Sequence, residues 1–390
     1  MQLRYLALAA LAASASAQTM NLTAALQGSP DLSNLTTYVS LFPDLLDSLS
    51  SAENITILAP SNDAFATLLE GPMGESIMAN DTDLIQAVLT YHVLNGTYAS
   101  SAIMEEAAFI PTLLNDPMYS NVTGGQRVEA MLVGEDVYIF SGLGANSTVT
   151  MPDMNFTGGV IHVIDSVLIP PQNISTTAVV ANLTSLAGAL INTTLVDALD
   201  SAVDITVFAP NNEAFQKIGS ALPNLTTDEL SSILSYHVVN GTVAYSSMLS
   251  NTTIETLGGG EVTITVGEDG SVFVNSAQVI LPDVLVANGV VHVIDNVLNP
   301  ELSTATPDPA APTQSVAFSG ASSADSVPFT SGVPTPTSIL GGAAPSPTGG
   351  ADSEGGGMTS SSTAGAAAAM KTGGVGMAAL FGAGAVFVVV

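Results

Sequence analysis

The sequence predicts two tandem α+β domains, each with its helices first and its β-hairpins last. Three observations carry that prediction. An apolar run occurs twice, Gly-Val-Ile-His-Val-Ile-Asp-Ser-Val-Leu at 159–168 and Gly-Val-Val-His-Val-Ile-Asp-Asn-Val-Leu at 289–298, identical at eight of ten positions. Two further blocks recur in the same order, 55–65 with 205–215 and 89–97 with 234–242. Each unit runs to roughly 130–155 residues, enough to bury a core of its own; a solenoid repeat would be far shorter.

Each element has its own local reason. Leu35, Val39, Phe42, Leu45, Leu46 and Leu49 recur at helical spacing, which predicts a helix over 35–49. Residues 55–58 read as a strand stopped by Ala59-Pro60, and Ser61-Asn62-Asp63 then caps a short helix through Phe65, Leu68 and Leu69. Asn211-Asn212-Glu213 is its counterpart. In the second unit Thr226-Thr-Asp-Glu229 is a capping box, Leu230, Ile233 and Leu234 form an apolar face, and Asn240-Gly241 ends the helix. Residues 81–93 do the same work in the first unit. Residues 261–266, 271–275 and 277–281 alternate as strands around a Gly267-Glu-Asp-Gly270 turn. The repeated run closes each unit. It is apolar, β-branched, opened by glycine and followed by proline (Pro170, Pro300), as in a strand buried on both faces. His162, Asp165, His292 and Asp295 lie within it, so they are read as core polar groups with hydrogen-bond partners, because an unpaired buried polar group costs about 1–3 kcal/mol.

The flanks place the chain outside the cell. Residues 1–17 combine Arg4, a short apolar run and Ala15-Ser16-Ala17, which reads as a signal peptide. The domains follow at 18–171 and 172–300. Residues 301–363 are rich in Pro, Ser, Thr, Ala and Gly and read as a disordered, O-glycosylated stalk. Small residues at 360–363, a spacer and a terminal apolar tail read 364–390 as a removed glycosylphosphatidylinositol-anchor signal, hence a membrane link through lipid. N-x-Ser/Thr acceptors occur at Asn21, Asn34, Asn54, Asn80, Asn95, Asn121, Asn146, Asn155, Asn173, Asn182, Asn192, Asn224, Asn240 and Asn251. That is 14 of 22 asparagines, where chance gives about four or five, so heavy N-glycosylation is expected.

Charge excludes one class of function. Lys and Arg total 4 against 34 Asp and Glu, a formal charge of −30, which repels nucleic acid and anionic headgroups. All four histidines (His92, His162, His237, His292) sit at repeated positions, but their spacing matches no metal-ligand signature and cysteine is absent. No nucleophile elbow or paired-carboxylate motif appears. The expectation is therefore no enzyme, no cofactor and no metal.

The blocks together resemble the fasciclin I-type domain. Thr56 to Phe65 and Thr206 to Phe215 are similar to its opening motif, the Tyr-His pairs to its central landmark, and the Gly-Val-[Ile/Val]-His-Val-Ile-Asp run to its closing motif. The resemblance covers about 19–170 and 178–300; Leu58 departs from the usual Phe. It implies a wedge of two small β-sheets with packed helices, and a cell-surface adhesion role with an extracellular protein or glycan partner, homophilic contact included. It also makes Tyr91, His92, Tyr236 and His237 candidate binding residues. Two other functions stay open: a glycosylated wall or coat component with no specific receptor, and a carrier of a lipid or sterol in the apolar wedge.

Overall fold

The computed structural model describes residues 20–334 apart from 72, 80, 309, 310, 312 and 313. The signal peptide, the Asn80 acceptor, the stalk beyond 334 and the anchor signal lie outside the described residues.

In the first domain the helices are α1 (Leu22–Gln27), α2 (Ser33–Ser40), α3 (Pro43–Ser51), α4 (Asn62–Glu70), α5 (Gly74–Met78) and α6 (Thr82–Tyr91). Its strands are β1 (Ile55–Pro60), β2 (Val93–Asn95), β3 (Ala108–Pro111), β4 (Arg127–Val133), β5 (Asp136–Phe140), β6 (Asn146–Phe156) and β7 (Gly159–Ile164). The second domain repeats the plan with α7 (Ile174–Val180), α8 (Thr184–Asn192), α9 (Val196–Asp200), α10 (Asn212–Lys217) and α11 (Thr227–Tyr236). Its strands are β8 (Ile205–Pro210), β9 (Val238–Val239), β10 (Thr252–Glu255), β11 (Glu261–Val266), β12 (Val272–Val274), β13 (Ala277–Val286) and β14 (Gly289–Ile294).

Each domain holds one seven-stranded sheet, in the order β2-β1-β7-β6-β5-β4-β3 and, at mirrored positions, β10-β11-β12-β13-β14-β8-β9. The two small sheets implied by resemblance are the halves of this sheet. β6 and β13 are long, carry two register shifts each, and bend from one half into the other. In the first domain a bridge between Leu94 and Thr112 brings the two ends together, so the sheet nearly closes. The repeated strand lies at the centre, parallel to β1 or β8 and antiparallel to β6 or β13. Its opening glycine is required by close approach: a Cβ on Gly159 would lie 1.8 Å from the Ile55 carbonyl oxygen, and one on Gly289 1.8 Å from that of Ile205.

Several expectations shift. The helix over 35–49 is two helices, because Pro43 cannot continue α2 and instead starts α3 at its first position. The helices of the Tyr-His blocks end at Tyr91 and Tyr236; His92 and His237 cap them, and the chain leaves as β2 and β9 before it reaches Asn-Gly. The caps expected at Ser61, Asn211 and Thr226–Glu229 are present. Asp165 is corrected outright. The strand stops at Ile164, and Asp165 is exposed, where its carboxylate accepts from the Thr148 N–H (2.8 Å) and the Ser147 hydroxyl (3.0 Å). Asp295 is half-buried and accepts from the Gln278 N–H. The stalk also starts later than 301: residues 314–333 lie on the second domain, with Ala317 buried and Phe318 and Phe329 packed against its core.

Candidate functional site

The recurring histidines are internal braces. Each stands where two segments distant in sequence must be joined without a second sheet ladder. The Leu168 N–H donates to His92 Nε2 (2.8 Å), so that nitrogen carries the lone pair. Nδ1 then carries the proton and donates to the Val88 carbonyl (2.7 Å). His237 repeats this between Leu298 N–H and the Ile233 carbonyl at the same distances. Each ring thus ties the end of its helix to the chain just past the central strand. Burial holds both imidazoles down at about 4, the bond to the helix carbonyl opposing it, so both are neutral at physiological pH. His162 and His292 work from the central strand itself. Each accepts from the backbone N–H of Asp153 or Asp283, and donates to the carbonyl of Tyr98 or Ala244.

Tyr91 and Tyr236 are equally enclosed, at 0% and 1% exposure. Their hydroxyls donate to the carbonyls of Arg127 and Glu261, which links α6 to β4 and α11 to β11. Burial pushes both phenols above their ordinary range. The binding role implied for Tyr91, His92, Tyr236 and His237 is therefore corrected. A partner could reach them only if the domain opened, and every polar atom in these bonds is already used. They position the fold.

What the structure brings together instead is a junction between the domains. The rings of Phe109 and Tyr245 stack at 4.1 Å, and the Arg127 guanidinium lies 5.8 Å from the Tyr245 ring centre while donating to the Phe109 carbonyl. Around them Gln126 donates to the carbonyls of Val286 and Ala287, the Asn121 N–H donates to Ala287, and the Asp204 carboxylate accepts from the Thr123 N–H and hydroxyl. Leu285 and Val290 complete an apolar cluster with Tyr245 and Phe109. Partly buried Glu129 faces this seam. Burial and the nearby Asp283 carboxylate push it up to about 8.

The contact is one-sided, and the internal repeat explains why. Ser246 N–H binds the Asp283 carboxylate as Ser100 N–H binds that of Asp153, so Tyr245 corresponds to Ala99. The tyrosine hydroxyl bonds pair Arg127 with Glu261, and sheet register pairs Phe109 with Thr253. The second domain's receiving edge thus lacks the aromatic and the cation, and the first domain's docking edge lacks the tyrosine. The same geometry cannot extend to a third domain.

Elsewhere the surface is open. Of the acceptor asparagines within the described residues, all are exposed except half-buried Asn121, which stands in the seam. An open groove of about 300 Å³ in the first domain is lined by Ser100, Ile103, Met104, Glu135, Asp136 and Pro152, among others. The apolar void between α7, α8 and the sheet of the second domain measures about 10 Å³, room for one water rather than a lipid or sterol. Among the described residues no group of three His, Asp or Glu side chains is placed to hold a metal.

Sequence reasoning missed the junction because its residues are unremarkable alone. The one available signal was Arg127, one of two cations between residues 18 and 334, the other being Lys217.

Comparison with known proteins agrees with the geometry. The fasciclin domain model matches residues 30–170 and 181–300. A fasciclin-like arabinogalactan protein of Arthroderma benhamiae is 38% identical over 312 residues, covering 80% of this chain and 74% of that one. The fasciclin-like arabinogalactan protein CTB11 of Cercospora beticola is 33% identical, covering 66% and 70% respectively. Among solved structures, a domain pair from the insect cell adhesion molecule fasciclin I matches with a TM-score of 0.34 and 21% identity, over 69% of this chain and 98% of that one. Two matched domains, each with its own histidine-braced sheet, make this chain a tandem member of the fasciclin domain family.

Proposed function

We propose that the chain is an extracellular, glycosylated adhesion protein that contacts matrix, wall or a neighbouring cell through its docked fasciclin pair. The observation that carries this reading is the contrast between interior and exterior. Polar groups at the repeated motifs are spent on bracing, and the described acceptor asparagines other than Asn121 stand on the surface. A molecule built this way presents shape and sugar. The names of the fungal relatives, which are arabinogalactan proteins, agree with a sugar-bearing surface. A lipid anchor at the C-terminal end fits the same picture and is tested by release with a phosphoinositide-cleaving lipase. Each contact is expected to be weak, with avidity from two domains and many copies.

The second reading, a wall or coat component without a specific receptor, is favoured by the density of acceptor sites. A binding screen of the secreted chain against glycans and extracellular proteins separates the two. Saturable binding to one ligand class supports adhesion. Absence of saturable binding, together with altered wall permeability on loss of the protein, supports the coat reading. The lipid-carrier alternative draws no support from the apolar void of the second domain, which has room for about one water.

A further inference from the structure

The segment beyond the matched family region fills a place that the first domain fills for itself. Asn62 and Asn212 correspond: each side-chain oxygen accepts from a backbone N–H in the first turn of an earlier helix, from Asn34 of α2 or Ser185 of α8. That register sets Tyr38 opposite Ala189 and Thr37 opposite Gly188. In the first domain the Tyr38 ring stacks on Phe65 at 5.2 Å. In the second domain α8 carries only Ala187, Gly188 and Ala189 at this level. There Phe329 packs edge-on against Phe215, the counterpart of Phe65, at 6.0 Å.

The fit extends along the whole segment. A Cβ on Gly188 would lie 1.7 Å from the Phe329 carbonyl oxygen, and one on Gly219 2.3 Å from Ala324 Cβ, so both glycines exist to let the segment in. Ser185 donates to the Pro328 carbonyl (2.8 Å), the Ala324 N–H to Gln216 (2.9 Å) and Asn299 to Ala317 (2.9 Å). Ser220 and Ser322 exchange two bonds. Val316, Phe318, Ala321 and Val333 cover apolar surface of the core. Yet the segment contributes no strand to the sheet and no helix of its own.

We propose that residues 314–333 are a detachable strap: they complete the second domain in place of an aromatic on α8, and they yield before that domain when the C-terminal end is pulled. A load from that side arrives first at Phe329 and the bonds along the segment. These break one after another, whereas the ladders of the sheet would have to break together. Yielding releases residues 300–333, roughly 34 residues or about 110–120 Å of extended chain, and uncovers Phe215 and the small-residue face of α8. The physiological load rests on the tethered-adhesion reading above; the strap itself does not.

The test is to stretch the full chain between handles at its two ends and record the unfolding steps. A first low-force step is expected, its length the extended reach of about 110–120 Å less the distance that residues 300–333 already span when docked, before two larger steps for the domains. Phe329→Ala, which removes the plug, and Gly188→Ala, which blocks the groove while favouring the helix, should each abolish that first step and leave the domain steps in place. A chain with no step of that length before the domains unfold would overturn the proposal. So would retention of the step in both variants. Either failure leaves the adhesion reading standing, because that is read by ligand binding.

Discussion

At the scale of single residues, the fold holds side chains whose charge is suppressed by burial. His92 and His237 are held at about 4, and the unfolded chain protonates them near 6.5. Their stabilisation is therefore fully present above pH 6.5 and drains away as pH falls toward 4. Glu129 works in the opposite sense. Folded, it keeps its proton up to about 8, whereas unfolded it releases it near 4.5, so its contribution declines as pH rises through that interval. Two imidazoles outweigh one carboxyl below pH 6.5, and the carboxyl acts alone above it. Unfolding free energy should peak near pH 6.5 and fall on both sides by about 1.4 kcal/mol per pH unit. Denaturant titrations from pH 4.5 to 8 check this. Glu129→Gln should flatten the alkaline limb and steepen the acid one, and the His92→Gln, His237→Gln pair should invert the acid limb, so that stability rises toward low pH, at a cost in overall stability. A flat profile in the parent chain would contradict the assignment. The importance of these histidines was legible in the sequence, since a polar residue repeated inside an apolar run must be satisfied. Which backbone groups satisfy each was not, because the partners lie 4 to 76 residues away.

Among the elements, the central strand and the helix caps were readable because their causes are local: a glycine, a β-branched run, a Ser or Asn ahead of an acid. The parallel pairing of β1 with β7 was not, since register 55-to-159 depends on what the intervening hundred residues do. The junction was equally hidden, formed as it is by Phe109 on one domain and Tyr245 on the other. Its role is testable directly. Tyr245→Ala removes the ring stack and the surface under Arg127, a loss of about 3 kcal/mol or more for a buried aromatic. The parent pair should unfold in one coupled transition; the variant should show two, with each domain retaining its own sheet. A single unchanged transition in the variant would mean that the domains are held by the surrounding hydrogen bonds of Asn121, the Gln126 side chain and the Ala287 carbonyl. The strap was misread for a related reason. Composition averaged over 301–363 conceals four aromatic or β-branched anchors, Val316, Phe318, Phe329 and Val333, the third of which sits over the gap left by Gly188.

On the scale of the whole molecule, duplication has produced two domains of the same plan with different surfaces. One edge of each has been spent on docking, one groove of the second domain is filled by the chain's own continuation, and the remainder is acidic and studded with glycan acceptors. Such a particle attracts no polyanion. On the adhesion reading proposed above, it makes many shallow contacts at high density, and the loss of one domain is expected to cost more than half the attachment because the second contact of a linked pair is intramolecular. The most direct measurement is attachment of cells displaying the complete chain, compared at equal copy number with cells displaying a chain that lacks residues 172–334. The account predicts that attachment falls by well over half in the shortened chain. Attachment that is undiminished, with the first domain shown to be folded, would contradict a function residing in the pair.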